Sequence, residues 1–253
     1  VPLGETDVVL SCHDVSYSYA DRFCALDQVT VDVLPGQRLA LLGANGCGKT
    51  TLLKVLAGLV FPGSGTVTAF GQPLTEQALE DAGISAAFRA RVGFCFQNPD
   101  VQVFSPTVRD EVAFGPLQLG LTPGATADRT ADVLRLLGIE DLIDRTPFEL
   151  SGGQKKKVAI ASVLVMNPQV LLFDEPGASL DPRSRRWLDD LLATLAASGT
   201  AIVAATHDLD RLDQVADRVV ILGEDHRVLA DTTPGQVLAD RDLLVAANLV
   251  SEP

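Results

Sequence analysis

Basic residues are scarce in this sequence: 20 Lys and Arg stand against 33 Asp and Glu, a formal net charge of −13 over 253 residues. Such a surface repels a phosphate backbone or an anionic bilayer, so nucleic acid is not expected as a partner. Long apolar runs are missing too. The best one, Val158–Met166, is stopped by Lys157 and Asn167, well short of the ~18 residues that cross a membrane, so no direct membrane span is expected. Cysteine is limited to Cys12, Cys24, Cys47 and Cys95, with no C-x-x-C pair. That spacing argues against a disulfide framework or a zinc site and fits a reducing cytoplasm. Residues Val1–Asp7 carry neither the basic start nor the apolar run of a secretion signal. Internal repeats and low-complexity tracts are also absent, and Pro-Gly pairs punctuate short apolar segments instead of gathering into one linker.

What is present is a chain with 47% hydrophobic and 21% charged residues, the balance of a soluble protein able to bury a core. Val29, Val31 and Val33 alternate with polar residues up to Pro35-Gly36 and predict a half-buried strand. Leu39–Leu42, Val92–Phe96, Val170–Phe173, Ala201–Ala205 and Val219–Leu222 are continuous apolar runs, the pattern of strands covered on both faces in a largely parallel sheet. Leu188, Leu191, Leu192 and Leu195 follow Pro182 at helical spacing, and Gly199 closes that segment. From about Asn98 to Asn167 the spacing is helical, as at Val133, Leu134 and Leu137. This stretch reads as a helical lobe inserted into an α/β core.

Gly43-Ala44-Asn45-Gly46-Cys47-Gly48-Lys49-Thr50 fits G-x-x-x-x-G-K-[ST], with a buried strand before it and a helical stretch from Thr51 after it. Glycines let backbone N–H groups converge on phosphate oxygens, and the helix N-terminus adds partial positive charge. Lys49 is expected to reach the β- and γ-phosphates and Thr50 to meet Mg²⁺. The strand Val170–Phe173 ends in Asp174-Glu175. Two adjacent acids there serve two roles: Asp174 for the metal and Glu175 to orient and polarise an attacking water.

Leu150-Ser151-Gly152-Gly153-Gln154, placed between those two motifs, resembles the signature of the ATP-binding subunits of ABC transporters. Its Ser hydroxyl and glycine N–H groups at a helix start suit an anion. The resemblance implies a P-loop NTPase core with an N-terminal antiparallel β region and an inserted helical subdomain. The implied core lobe spans about 1–97 and 167–253, and the implied helical lobe about 98–166, in a single ABC ATPase domain. It also implies Mg-ATP bound at the interface of a head-to-tail dimer, so that Ser151–Gln154 contact the γ-phosphate held by the other subunit. By the same resemblance Gln97 is the Q-loop glutamine that touches metal and water, and His207 is the switch histidine on the γ-phosphate. Ser179-Leu180-Asp181 is the loop that crosses the dimer interface, Thr51 adjoins the nucleotide, and Tyr19 stacks on adenine. Tyr17, assigned to the opposite strand face, is the competing aromatic.

Phe96–Phe104, Thr107–Pro116, Gln154–Ala161 and Thr233–Leu238 are similar to the energy-coupling factor subgroup of ABC importers, particularly its cobalt-transport ATPases. That likeness implies a peripheral subunit on the cytoplasmic face of the cell membrane, a transmembrane coupling protein, and a small membrane protein that captures the solute. Cobalt or nickel uptake is the first expectation and vitamin uptake the alternative. Homodimerisation is favoured because every catalytic motif is present in one chain. A soluble ABC ATPase of DNA repair or translation fits less well: Lys49 to Ser151 leaves room for only a small lobe, and there is one cassette.

Further expectations concern particular residues. The helix N-terminus and Lys49 should lower the thiol pKa of Cys47, making it reactive toward alkylation. Lys155–Lys157 spread around a helix and read as a solvated surface. Val101, Val103 and Phe104 are expected to line a groove for short helices of the membrane partner. Gly177 stands where the family often has Thr or Ser.

Overall fold

Alternation along the chain decides which faces of the sheets are buried. A computed structural model describes residues 8–178 and 180–251; Val1–Asp7 and Ser179 lie outside the described residues. Strands β1 (Leu10–Tyr19), β2 (Phe23–Val33), β4 (Ser64–Ala69) and β5 (Gln72–Pro73) form an antiparallel sheet in the order β2-β1-β4-β5. Val29, Val31 and Val33 are buried and the residues between them exposed, as a half-covered strand requires.

The second sheet has the order β10-β9-β3-β8-β7-β6, built from β3 (Arg38–Leu42), β6 (Val92–Cys95), β7 (Val170–Asp174), β8 (Ala201–Ala205), β9 (Arg218–Leu222) and β10 (Val228–Thr232). All its neighbours run parallel except β10 against β9. Both faces are covered. On β7, Val170 and Leu172 join the cluster beneath the antiparallel sheet, whereas Leu171 and Phe173 join the cluster of the helical lobe. Each such fully buried Leu or Phe contributes roughly 1.5–3 kcal/mol.

Helix α1 (Lys49–Leu56) is wedged between the sheets, with Leu52, Leu53 and Leu56 inside the first cluster. Two short helices, α2 (Glu76–Glu80) and α3 (Ala82–Arg91), lead into β6. The next segment contains α4 (Val108–Gln118), α5 (Pro123–Leu137) and α6 (Gly152–Leu164). Val133, Leu134 and Leu137 bury one face of α5, and Gly138 caps it in a left-handed conformation. Helix α7 (Pro182–Ala197) places Leu188, Leu191 and Leu192 against β7 and β8. A third cluster packs α8 (Leu212–Val215), α9 (Pro234–Ala239) and α10 (Arg241–Ala246) against β3 and β9.

Four connections leave the carboxyl ends of the adjacent strands β3, β8, β7 and β6 on one edge of this sheet: Gly43–Gly48 after β3, the residues after Ala205, Asp174-Glu175, and Gln97. Parallel α/β sheets place ligand sites at that edge.

Candidate nucleotide site

The loop after β3 bends as it does because two glycines leave no room for a side chain. Gly43 has φ +142°, and a Cβ there would sit 2.4 Å from the Leu222 carbonyl oxygen. Gly48 has φ +115°, and its Cβ would meet the Ala25 carbonyl oxygen at 2.2 Å. The backbone therefore turns tightly and opens α1 toward a cleft of about 680 Å³. Gly43, Asn45, Gly46, Gly48, Lys49, Thr50 and Thr51 all line that cleft. Lys49 Nζ donates to the carbonyls of Gly43 (2.7 Å) and Ala44 (3.0 Å), which holds its charge over the loop.

Asp174 and Thr50 meet directly, with the hydroxyl 2.9 and 3.0 Å from the two carboxylate oxygens. Glu175 follows with φ +46°, a left-handed conformation costly for a non-glycine residue, fixed by its N–H donating to the Ala205 carbonyl at 3.0 Å. His207 Nδ1 lies 2.9 Å from Glu175 Oε2. Gln97, Asp174, Glu175 and His207 line the same cleft as the loop, and Tyr19 forms its outer wall. Tyr19 also shares a hydrogen bond between its hydroxyl and Thr51 Oγ1 (3.2 Å).

Among the described residues no group of three or more His, Cys, Asp or Glu comes together. One hydroxyl and one carboxylate side by side fit a hard cation that takes its remaining ligands from phosphates and water. A phosphate-binding loop, a carboxylate pair and a signature helix on this sheet are what one family combines. A model of that family, described as "ABC transporter", matches residues 26–178. The chain belongs to the ABC transporter family.

This ABC ATPase is 47% identical over 232 residues to the nickel import ATP-binding protein NikO of Rhodobacter capsulatus, covering 89% of this chain and 90% of that one. It is 38% identical over 241 residues to the energy-coupling factor transporter ATP-binding protein EcfA of Methanothermobacter thermautotrophicus, covering 95% and 76%. Its structure superposes on cbiO1 of Clostridium perfringens, described as part of the ABC transporter complex cbiONQ, with TM-score 0.81, 36% identity and 96% and 95% coverage.

Some expected residues of the ABC ATPase lie off the cleft. Ser151, Gly152, Gly153 and Gln154 form the start of α6, where Ser151 and Gln154 cap each other reciprocally. Asp181 caps α7, accepting from Arg183 N, Ser184 N and Ser184 Oγ; the bonds to Ser184 hold its carboxyl below the usual range. Gly177 turns its carbonyl to Arg185, which also pairs with Asp208, so the segment after Glu175 is tied to the segment after His207.

Four expectations are corrected. Tyr17 and Tyr19 do not occupy opposite faces: residues two apart in a strand share a face, and their rings meet edge-on with centroids 5.0 Å apart. Only Tyr19 reaches the cleft. Lys155–Lys157 are not a free solvated surface, because Lys155 pairs with Asp100, Lys156 is 3% exposed, and Lys157 donates to the Leu137 carbonyl over the Trp187 ring. The Cys47 side chain packs in the core at 2% exposure and does not line the cleft; burial outweighs Lys49 and pushes its thiol pKa up. Val103 is buried in the helical lobe and cannot line an outer groove.

Phe23, Cys24, Ala25, Asn248 and Leu249 line the cleft without carrying any motif. For Phe23 a signal existed: it is an aromatic at the far side of the β1–β2 turn, and pairing sets it opposite Tyr19. Asn248 and Leu249 arrive only by the packing of the C-terminal helices.

Proposed function

We propose that the chain binds Mg-ATP in this cleft, closes against a second copy that supplies Ser151–Gln154 and Asp181, and hydrolyses the nucleotide to power a membrane importer of the energy-coupling factor type. The observation that carries this reading is the division of the motifs. Lys49, Thr50, Gln97, Asp174, Glu175 and His207 converge on one cleft, whereas Ser151–Gln154 at the start of the signature helix are not among the residues that line it. Two copies related by a two-fold axis would each supply the half-site that the other lacks.

In that arrangement the loop N–H groups and Lys49 hold the phosphates, and Tyr19 stacks on the adenine. Thr50 and Asp174, with Gln97 nearby, are the residues that would hold Mg²⁺, whose charge offsets that of the phosphate oxygens. Glu175 orients and polarises the attacking water in line with the γ-phosphate, and His207 holds both the Glu175 carboxylate and a γ-phosphate oxygen.

A groove of about 560 Å³ between core and helical lobe, lined by Leu59, Phe88, Phe94, Phe114, Leu119 and Met166, suits a short apolar helix of a transmembrane coupling protein. Among the described residues no helix is long and apolar enough to cross a membrane; the likeness to energy-coupling factor ATPases is what supports a peripheral subunit on the cytoplasmic face. The names of the nickel-import relatives support nickel as the solute, and the sequence likeness to cobalt-transport ATPases keeps cobalt beside it, captured by a separate small membrane protein.

The test is mass spectrometry of proteins that co-purify from native membranes with tagged Glu175→Gln protein in Mg-ATP, followed by uptake of labelled nickel and cobalt by cells carrying the recovered partners. Recovery of a coupling protein and metal uptake bear the reading out. Recovery of soluble ribosomal or DNA-associated proteins alone overturns the importer assignment, and uptake of a vitamin in place of metal overturns only the solute.

A further inference from the structure

Lys156 sits about a turn and a half into α6, yet its ammonium leaves the helix surface and enters the protein. Nζ donates to the Phe96 carbonyl at 2.9 Å and to the Gln97 carbonyl at 3.2 Å. These are neutral acceptors, and among the described residues no salt bridge compensates the buried charge. Burial accordingly lowers its pKa. A second link holds the same segment from its other side. The Phe96 N–H donates to Gln102 Oε1 (3.1 Å), and Gln102 Nε2 donates to the Ala159 carbonyl of α6 (2.7 Å). Both peptide groups that carry Gln97 into the cleft are therefore fastened to the helix that begins at Ser151-Gly152-Gly153. Two successive carbonyls with one donor between them need a group with more than one N–H, which an ammonium has and an apolar side chain lacks.

We propose that Lys156 is a positioning residue: it fixes the Gln97 backbone to the signature helix, so that the position of Gln97 in one nucleotide cleft and the position of Ser151–Gly153 toward the other are set together. This rests on the reading of Gln97 and the signature given above. Losing Lys156 leaves the phosphate loop and Tyr19 untouched, so nucleotide affinity should hold while turnover falls.

The test compares Lys156→Met, Gln97→Ala and the double variant in the purified subunit, by phosphate release over a range of ATP concentrations and by equilibrium binding of a fluorescent ATP analogue. The expected result is a fall in kcat of about tenfold for Lys156→Met with binding within twofold of wild type, partial rescue in Lys156→Arg, and little further loss when Lys156→Met is added to Gln97→Ala. If Lys156→Met does not fold, Lys156→Gln, a shorter uncharged side chain whose amide still carries two N–H groups, takes its place in the same cycle. Independent, multiplying effects of the two substitutions overturn the positioning role while leaving Gln97 in place. A Gln97→Ala protein with wild-type turnover overturns the reading of Gln97 and the proposal with it.

Discussion

His207 Nδ1 and Glu175 Oε2 are 2.9 Å apart, although the two side chains come from the ends of different strands and differ sharply in exposure, 69% against 13%. The carboxylate is thus held on its buried side by the fold and on its open side by an exposed imidazole. Replacing the carboxylate by an amide preserves shape but removes the negative charge that we propose polarises water. Glu175→Gln should lower turnover by roughly a hundredfold or more while ATP binding persists. ATP-dependent dimer on a sizing column should then accumulate. Turnover within a few-fold of wild type would exclude Glu175 from the chemistry.

The same residue stores strain. At φ +46° a Glu pays roughly 1–2 kcal/mol that Gly does not, partly offset by the greater freedom of Gly in the unfolded chain. Glu175→Gly should therefore be inactive yet raise Tm by about 1–3 °C, read by differential scanning calorimetry. A lower Tm would mean that the contact with His207 outweighs the backbone cost.

The strands and the motif positions are legible because each is a local pattern: Val170–Phe173 is one continuous apolar run, and Gly43–Thr50 is one contiguous string. What was not legible depends on distant partners. Nothing in Lys155-Lys156-Lys157 says that one ammonium meets Asp100, the next two main-chain carbonyls, and the third the face of Trp187. Cys47 was misread for a related reason. Its sequence neighbours Gly48 and Lys49 suggest an electropositive loop, but the side chain turns into the core behind Gly43, and desolvation then dominates.

That burial reverses the expected pattern of thiol reactivity. Cys12, Cys47 and Cys95 are buried, and burial pushes the thiols of Cys12 and Cys95 up to about 12. Cys24 is exposed and lines the nucleotide cleft. A maleimide at neutral pH should label Cys24 alone in the native protein, with the other three appearing only in denaturant. ATP should slow the labelling, and Cys24→Ser should remove it. Peptide mapping that finds native labelling at Cys47 would contradict the packing of that side chain.

Acid sensitivity should trace in part to the pair at the base of β3. Arg38 donates through Nε and Nη2 to the two oxygens of Asp217 (3.2 and 2.6 Å), and the backbone adds Arg38 N to Asp217 Oδ2 at 3.1 Å. The hydrogen bond to Arg38 is the main cause that holds the Asp217 carboxyl below the usual range, against the opposing effect of burial. A carboxyl whose pKa is lower folded than unfolded contributes stability above the unfolded value of about 3.9 and loses it as pH falls through the folded value. The Asp217 side chain is half-exposed, so screening keeps this contribution under about 1 kcal/mol. In urea titrations Asp217→Asn should be less stable than wild type at pH 7, with the difference shrinking steadily below pH 4. A difference of the same size at pH 7 and pH 3 would mean that the substitution acts through packing and not through the charge of Asp217.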